Sequence, residues 1–241
     1  MEIETWDPEE SLDQEAELLD RVVHAPLERF LWFWQSPQCL VAPRKLCIMP
    51  GFPEASRKLA ESGWPVHQRS SGGDATPLGP GIVTVSHIYA SQPGQKFDLK
   101  DEYARLCSPI EKALGDGASR GWQPGAFCDG AYNVQRNGLK FAGTAMRFRR
   151  CKGGSPRTAI LAHALMLFEP PKLEAIEAIN QFLRALGEDR HIRLDAHTGL
   201  PSGVSPEEFV SKLMEEFSTQ DPEDPLRDLD VRGPPESDVA V

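Results

Sequence analysis

One predicted β-hairpin, turning at Asn137-Gly138, constrains this chain more than any other feature of its sequence. Both central residues of a type I′ turn need positive φ, which Asn and Gly adopt readily, and strand-like runs flank the pair. The return strand therefore begins near Lys140, and a cysteine, Cys128, lies upstream of the same hairpin. Small side chains follow the lysine and predict a cavity beside it: Ala142, Gly143 and Ala145.

The spacing of the cysteine and the lysine sets a geometric condition. In an ideal hairpin of this kind Lys140 pairs with Gln135, which leaves Cys128 about seven residues away, roughly 23 Å along a straight strand. The two groups can meet only if the segment that carries the cysteine folds back. Because Gly125 and Gly130 bracket Cys128, we expect residues 124–130 to form a loop over a groove.

Composition limits the classes of protein to which the chain can belong. It has 241 residues, 40% of them hydrophobic, which is enough for one domain with a sizeable core. Residues 1–218 are predicted to form that domain, and the Pro-, Asp- and Glu-rich residues 219–241 a disordered tail. A net charge of −10 argues against nucleic acid as a partner. The acidic N-terminus and the absence of a 20-residue apolar run predict a cytoplasmic protein without a membrane partner.

The cysteines are odd in number and show no metal-binding spacing. This pattern predicts neither a disulfide framework nor a zinc site, so no bound metal is expected. We expect four of the thiols to be structural and Cys128 to be the reactive one. The five are Cys39, Cys47, Cys107, Cys128 and Cys151.

Apolar periodicity predicts an α+β domain, a mixed sheet flanked by helices. The predicted helices are 9–24, 53–62, 99–116 with a kink at Pro109, 172–186 and 206–217. The predicted strands are 29–34, 38–42, 66–69, 82–89, the hairpin 130–147 and 158–168. Ser205 and Glu208 form a capping box before the last helix. His87 and His163, on apolar strands, are interpreted as hydrogen-bonded core histidines.

A glycine-rich loop between two predicted strands is the second informative motif. From Arg69 to Gly81 the chain reads Arg-Ser-Ser-Gly-Gly-Asp-Ala-Thr-Pro-Leu-Gly-Pro-Gly. It lacks the Gly-Lys-Ser/Thr of a Walker A loop and has no GxGxxG. The Gly72-Gly73 pair nevertheless permits close approach of a ligand to the main chain.

Taken together, the motifs resemble those of the biotin/lipoate A/B protein ligase family over residues 10–217. They are Arg-x-Ser-Gly-Gly-x-Ala with Gly-Pro-Gly, Asp129-Gly-Ala-Tyr-Asn-Val with Gly138-x-Lys-x-x-Gly-x-Ala145, and Leu161-Ala-His163. The resemblance implies a class II biotin/lipoyl synthetase-like catalytic domain whose groove holds an eight-carbon acyl chain. It also implies transfer of octanoate or lipoate to a lysine of a lipoyl domain, in the glycine cleavage H protein or a 2-oxoacid dehydrogenase E2.

The resemblance also assigns residues to the site. Lys140 corresponds to the acyl-site lysine, which would stabilise the oxyanion, and Cys128 resembles the nucleophile of cysteine-dependent amidotransferases, which would carry the acyl group as a thioester. Asp74 replaces a glycine common in ligases and disfavours a phosphate, and Leu78 replaces a frequent histidine. The implied substrate-binding residues are Arg69, Ser71, Gly72, Gly73, Asp74, Ala75, Gly79, Gly81, Tyr132, Gly143, Ala145 and His163.

Three functions stay open at this stage. A cysteine-dependent transferase would take the acyl group from a donor protein and need no further cofactor. A lipoate-protein ligase would use ATP and Mg and pass through lipoyl-AMP. A non-catalytic homologue would only bind acyl groups or lipoyl domains. For an acidic acceptor domain, the basic cluster of Arg147, Arg149 and Arg150 offers a docking patch.

Overall fold

The structure, a computed structural model, describes residues 3–94, 97–154 and 156–219, together with the backbone of Leu229–Asp230. The prediction of a disordered tail over 219–241 therefore falls outside the described residues, except for Thr219 and that two-residue strand. Within the described part, no helix combines the length and apolar character that a membrane crossing requires.

The helices lie close to their predicted positions, and two of them show why they begin where they do. The Asp7 carboxylate accepts the backbone N–H groups of Glu9 and Glu10 and caps the first helix. The predicted capping box of Ser205 and Glu208 is confirmed before the last one. The helices are α1 (Pro8–His24), α2 (Arg44–Cys47), α3 (Phe52–Glu61), α4 (Leu99–Leu114), α5 (Leu173–Ala185) and α6 (Pro206–Ser218), with a 3-10 turn at Leu194–Ala196.

The strands form a large mixed sheet and a small one. They are β1 (Glu4–Thr5), β2 (Arg29–Gln35), β3 (Cys39–Pro43), β4 (Val66–Arg69), β5 (Thr76–Leu78), β6 (Ile82–Ala90), β7 (Ala118–Arg120), β8 (Val134–Arg136), β9 (Leu139–Arg150), β10 (Thr158–Leu167) and β11 (Leu229–Asp230). Over the described residues, the large sheet has the order β1-β2-β6-β10-β9-β8-β7, with β11 also paired to β2, and the small sheet has the order β4-β3-β5. The predicted α+β class is confirmed.

Alternating side chains of the central strand β10 divide the core into two halves. Leu161 and Leu165 contribute to the half that contains α1, α3, α5 and the small sheet. Ala162 and Ala164 contribute to the half that contains α4 and α6. His163 shares its face with Leu161 and Leu165, since side chains two apart on a strand point the same way. The candidate site lies on this face, between the large sheet, α1 and the small sheet.

The hairpin turn and the fold-back loop are both confirmed, but the first strand of the hairpin begins at Val134 and not at residue 130. Arg136 pairs with Leu139 and Gln135 with Lys140, and the turn residues Asn137 and Gly138 have φ values of 52° and 75°. Residues 121–133 contain no helix or strand, so the chain before the hairpin is free to turn back. Cys128 itself has a φ of 44°, a left-handed conformation at the tip of this loop.

Two predictions need correction. The loop over 70–81 contains a strand, β5, which pairs with β3 at the edge of the small sheet, where Pro77 costs no interior hydrogen bond. His87 is buried as expected, but within the described residues neither of its ring nitrogens has a hydrogen-bond partner. It packs against the rings of Tyr89 and Phe217, and burial lowers its pKa well below the usual value.

Candidate active site

The thiol of Cys128 lies against the glycine-rich loop. The backbone N–H of Asp74 donates to its Sγ at 3.1 Å, and Nη2 of Arg69 donates to it at 3.7 Å. Gly73 has a φ of +96°, and a Cβ there would lie 2.7 Å from Sγ and 2.8 Å from Nη2 of Arg69. Only glycine therefore permits this approach of the two loops.

Lys140 is fully buried, and its side-chain amine binds the loop that carries Cys128. Its Nζ donates to the carbonyl oxygens of Phe127 at 2.5 Å and of Cys128 at 3.0 Å, and lies 4.8 Å from the centre of the Phe127 ring. Burial lowers the pKa of Lys140 to about 8, with the nearby Arg69 acting in the same direction. A Cβ at Gly143 would lie 3.0 Å from Nζ, so the glycine makes room for the amine.

His197 supports the same loop and was not anticipated from the sequence. The backbone N–H of Phe127 donates to its Nε2 at 3.2 Å, and the two rings stack with centroids 4.5 Å apart. The main chain of Lys140 pairs with His197, and the N–H of Thr198 donates to the Lys140 carbonyl. Burial and the charge of Lys140 lower the pKa of His197 to about 4, so the imidazole is neutral and accepts.

An apolar pocket, here called the acyl pocket, opens beside the thiol. Its space, counted together with the open solvent at its mouth, amounts to about 450 Å³. Cys128 stands at its wall and Lys140 does not line it. Among its lining residues are Leu12, Trp34, Val41, Leu78, Leu165, Arg69, Gly143, Ala145, Glu15 and His163. The small residues after Lys140 thus give the predicted space beside the backbone of β9.

A buried chain of polar side chains crosses one wall of the acyl pocket. Oε1 of Glu15 accepts from Nδ1 of His163 at 2.9 Å and from the hydroxyl of Ser86 at 2.6 Å. Nε2 of His163 meets Oγ of Ser71 at 2.9 Å, and the Trp34 indole donates to Ser86. His163 is therefore a hydrogen-bonded core histidine, as predicted. It also ties the glycine-rich loop to the sheet through Ser71.

Glu15→Ala is expected to destabilise the domain by about 2–4 kcal/mol, because two buried donors, on Ser86 and His163, lose their acceptor. Urea unfolding at neutral pH measures this change. Glu17→Ala, on the exposed side of the same helix, is the control and should shift the free energy of unfolding by less than about 0.5 kcal/mol. Equal stability of the two variants would contradict a structural role for Glu15.

A second space, here called the outer cleft, also borders Cys128 and, counted together with the open solvent at its mouth, amounts to about 520 Å³. Cys128, Asp129 and the stacked rings of Tyr103 and Tyr132, 3.9 Å apart, line it. Oδ1 of Asp129 accepts from the backbone N–H of Gln123 at 2.7 Å and from the side chain of Asn133 at 2.8 Å. Cys128 thus lines both the acyl pocket and the outer cleft.

The sequence-predicted substrate residues divide into four sets. Those on the acyl pocket are Arg69, Gly143, Ala145 and His163, and those on the outer cleft are Gly72, Gly73, Tyr132 and again Ala145. Those behind the walls are Ser71, Asp74 and Ala75, all buried. Gly79 and Gly81 line neither space, since they form the turn between β5 and β6, where Gly81 contacts Glu169.

Asp74 has a partner that the sequence did not reveal. Its carboxylate forms an ion pair with Arg190, which follows α5, and its carbonyl accepts from Nη2 of Arg69 at 2.7 Å. The other four cysteine thiols are partly or fully buried. Burial raises the pKa of each, to about 12 for two of them. They are Cys39 and Cys107 (about 12), Cys47 and Cys151.

Comparison with known proteins bears directly on this arrangement. Residues 7–218 match the family model described as the lipoyl protein ligase A/B catalytic domain. The chain belongs to this family. The matched range contains both loops, the hairpin and the buried chain of polar side chains from Glu15 to Ser71, so the whole candidate site lies within the range that the family model matches.

The chain is similar to a curated relative and to two solved structures. It is 33% identical, over 177 residues, to an octanoyl-[GcvH]:protein N-octanoyltransferase of Kyrpidia tusciae, covering 69% of this chain and 59% of that protein. The chain thus spans about three fifths of the length of that relative.

A bipartite lipoate protein ligase of Thermoplasma acidophilum, studied with its E2 lipoyl domain, matches with a TM-score of 0.58 and 18% identity, covering 95% of this chain and 83% of that one. Lipoate-protein ligase A bound with ATP gives 0.58 and 16%, covering 90% and 85%. At such identities these two structures establish the shared fold alone.

Proposed function

We propose that this protein transfers an octanoyl or lipoyl group to a lysine of a lipoyl domain through a thioester on Cys128. The observation that carries the proposal is the position of Cys128, which borders both the acyl pocket and the outer cleft. An acyl chain in the first space brings its carbonyl to the sulfur, and an amine can approach the resulting thioester through the second. The name of the Kyrpidia relative supports the same reaction class.

In the first half-reaction the Cys128 thiolate attacks the carbonyl carbon of a donor thioester. A carbon–sulfur bond to the enzyme forms, the donor sulfur leaves with the electron pair, and it takes up a proton. The N–H of Asp74 and the guanidinium of Arg69 stabilise the charge as it moves from sulfur to the carbonyl oxygen. Nε of Arg69 is buried without an acceptor within the described residues, so it has a donor to offer.

Lys140 acts in this proposal as a positioning residue. Its amine is used by the carbonyls of Phe127 and Cys128, and it lies outside the acyl pocket, so it fixes the loop that presents the thiol. This differs from the oxyanion role that the family resemblance implied. By donating to two carbonyl oxygens of the loop, the Lys140 amine keeps Sγ of Cys128 within reach of Asp74 and Arg69. Misplacement of the sulfur by about 1 Å lowers the reaction rate on the order of 100-fold.

An ATP-dependent ligase is the alternative, supported by the ATP-bound relative of the same fold. The residues beside the thiol fit a polyphosphate poorly, because the Asp74 carboxylate is a like charge and Arg190 is already engaged by it. The two functions separate in one assay of acceptor labelling. A transferase labels an apo lipoyl domain from an octanoyl thioester without nucleotide, whereas a ligase requires free lipoate or octanoate with ATP and Mg.

The acceptor is expected to dock beside β9. Arg147 follows Ala145 by two residues and so shares its face of the sheet, next to the acyl pocket. Arg149, two residues further on, shares this face and is paired with Asp20, whereas the exposed Arg150 lies on the opposite face of the strand. The glycine cleavage H protein in the name of the Kyrpidia relative and the E2 lipoyl domain of the Thermoplasma study support a lipoyl domain as acceptor.

Reversing Arg147 and Arg149 to glutamate is expected to raise KM for an acidic lipoyl domain about tenfold at low salt, less at high salt. Acylation of Cys128 by a small octanoyl thioester should stay within about twofold. The control reverses the exposed Arg44 and Lys45 of α2, with the same change in charge. Equal loss in both half-reactions, or in both variants, would argue against this docking face.

A further inference from the structure

The outer cleft contains a negative charge that the acylation step does not use. Asp129 follows the nucleophile directly and lines the cleft with it. Its Oδ1 is held by two donors, the backbone N–H of Gln123 and the side chain of Asn133, so the carboxylate has a fixed position. A fixed carboxylate beside a nucleophile, in a cleft open to solvent, is suited to recognising a cationic group.

The cleft also has an aromatic wall. The rings of Tyr103 and Tyr132 stack almost in parallel, with an interplanar angle of 1°, and both line the cleft with Asp129. Aromatic rings attract cations, and they pack well against the methylene stem of a lysine. Gly72 and Gly73, across the cleft, leave its backbone side uncovered.

We infer that Asp129 binds the ε-ammonium of the acceptor lysine, with the Tyr103–Tyr132 pair guiding its stem, and so selects a cationic amine as the acyl acceptor. The inference rests on the proposed thioester function and adds the site of the second substrate. The acyl chain fills the acyl pocket, which leaves the outer cleft as the approach for the amine.

The second half-reaction balances as follows. The bound ammonium first loses one proton through Asp129 to solvent, which frees the nitrogen lone pair. The neutral amine nitrogen then bonds to the thioester carbon, the carbon–sulfur bond breaks, and the electron pair leaves on Cys128. Bonding to carbon makes the nitrogen far more acidic, and its second proton passes to the sulfur, which returns to the thiol.

Asp129→Asn tests the inference with little change in shape. An asparagine Oδ1 still accepts from Gln123 and Asn133, so the hydrogen bonds are kept and the charge is lost. Isolated octanoyl-enzyme is mixed with either Nα-acetyl-lysine methylamide, a cation at neutral pH, or hydroxylamine, which is neutral. We expect the variant to react about 10- to 100-fold more slowly with the lysine and within about twofold of normal with hydroxylamine.

The neutral nucleophile separates recognition from indirect effects. The charge of Asp129 acts to raise the pKa of Lys140, against the larger effect of burial. Loss of that charge can therefore alter the Cys128 loop through Lys140, but such an effect slows the reactions with both nucleophiles equally. Equal slowing, or an unchanged lysine rate, overturns the inference while the thioester function stands. If the wild-type protein forms no octanoyl-Cys128, the proposed function fails and this inference with it. Asp116→Asn, on an exposed residue, is the matched control.

Discussion

Lys140→Met is expected to lower acyl transfer about 100-fold or more while leaving the domain folded. Methionine fills the same buried channel but leaves the carbonyls of Phe127 and Cys128 without their donor. The loop then loses the contact that sets Sγ against Asp74, and rate falls with misplacement. Burying an ammonium is itself costly, as the pKa of about 8 indicates, so stability should change less than activity.

The readouts that separate positioning from oxyanion stabilisation are acylation of Cys128 and its alkylation by iodoacetamide. A loosened loop alters both, because both depend on where the thiol lies. If Lys140→Met abolishes transfer but leaves the alkylation rate of Cys128 unchanged, the lysine acts on the acyl oxygen and the positioning role is wrong. Lys100→Met, at an exposed position at the start of α4, is the control and should match the wild type.

Gly73→Ala is expected to reduce acylation of Cys128 about 100-fold, through two independent effects. A Cβ at this position would lie 2.7 Å from Sγ and 2.8 Å from Arg69, so the thiol or the guanidinium must move. A φ of +96° is also a conformation that alanine rarely adopts. The measurement is the rate of octanoyl thioester formation on the enzyme, followed by mass spectrometry.

The neighbouring glycine provides the control. A Cβ at Gly72 would have no heavy atom within 4 Å, and the residue is exposed, so Gly72→Ala should keep acylation within about threefold of the wild type. The two variants differ by one position in one loop. If both lose activity equally, the loop tolerates no substitution for reasons other than its contact with Cys128, and the proposed packing against the thiol is wrong.

Local rules were sufficient for the parts of the site that depend on neighbouring residues. Asn137-Gly138 predicted the turn, and the distance from Gln135 back to Cys128 predicted the fold-back loop, since a straight strand cannot bring the thiol to the lysine. Helix caps at Ser205 followed the same logic. The strand β5 was missed because Pro77 reads as a loop residue and is tolerated only through its edge position.

Contacts between distant segments were beyond those rules. Glu15 and His163 are 148 residues apart, and the sequence around neither residue indicates a contact with the other. The one available signal was periodicity, because Glu15 falls three residues after Leu12 and four before Leu19, on the buried face of α1. A carboxylate on that face needs a buried partner. His197 and Arg190 lie in irregular segments without periodicity, so no comparable signal marked them.

The most direct measurement for the account is peptide mass mapping after incubation with an octanoyl thioester in the absence of nucleotide, followed by a chase with an apo lipoyl domain. We predict an octanoyl adduct on the peptide that contains Cys128, sensitive to hydroxylamine, absent in Cys128→Ala, and transferred to the acceptor lysine in the chase. Acceptor labelling that needs ATP and leaves Cys128 unmodified would contradict the account.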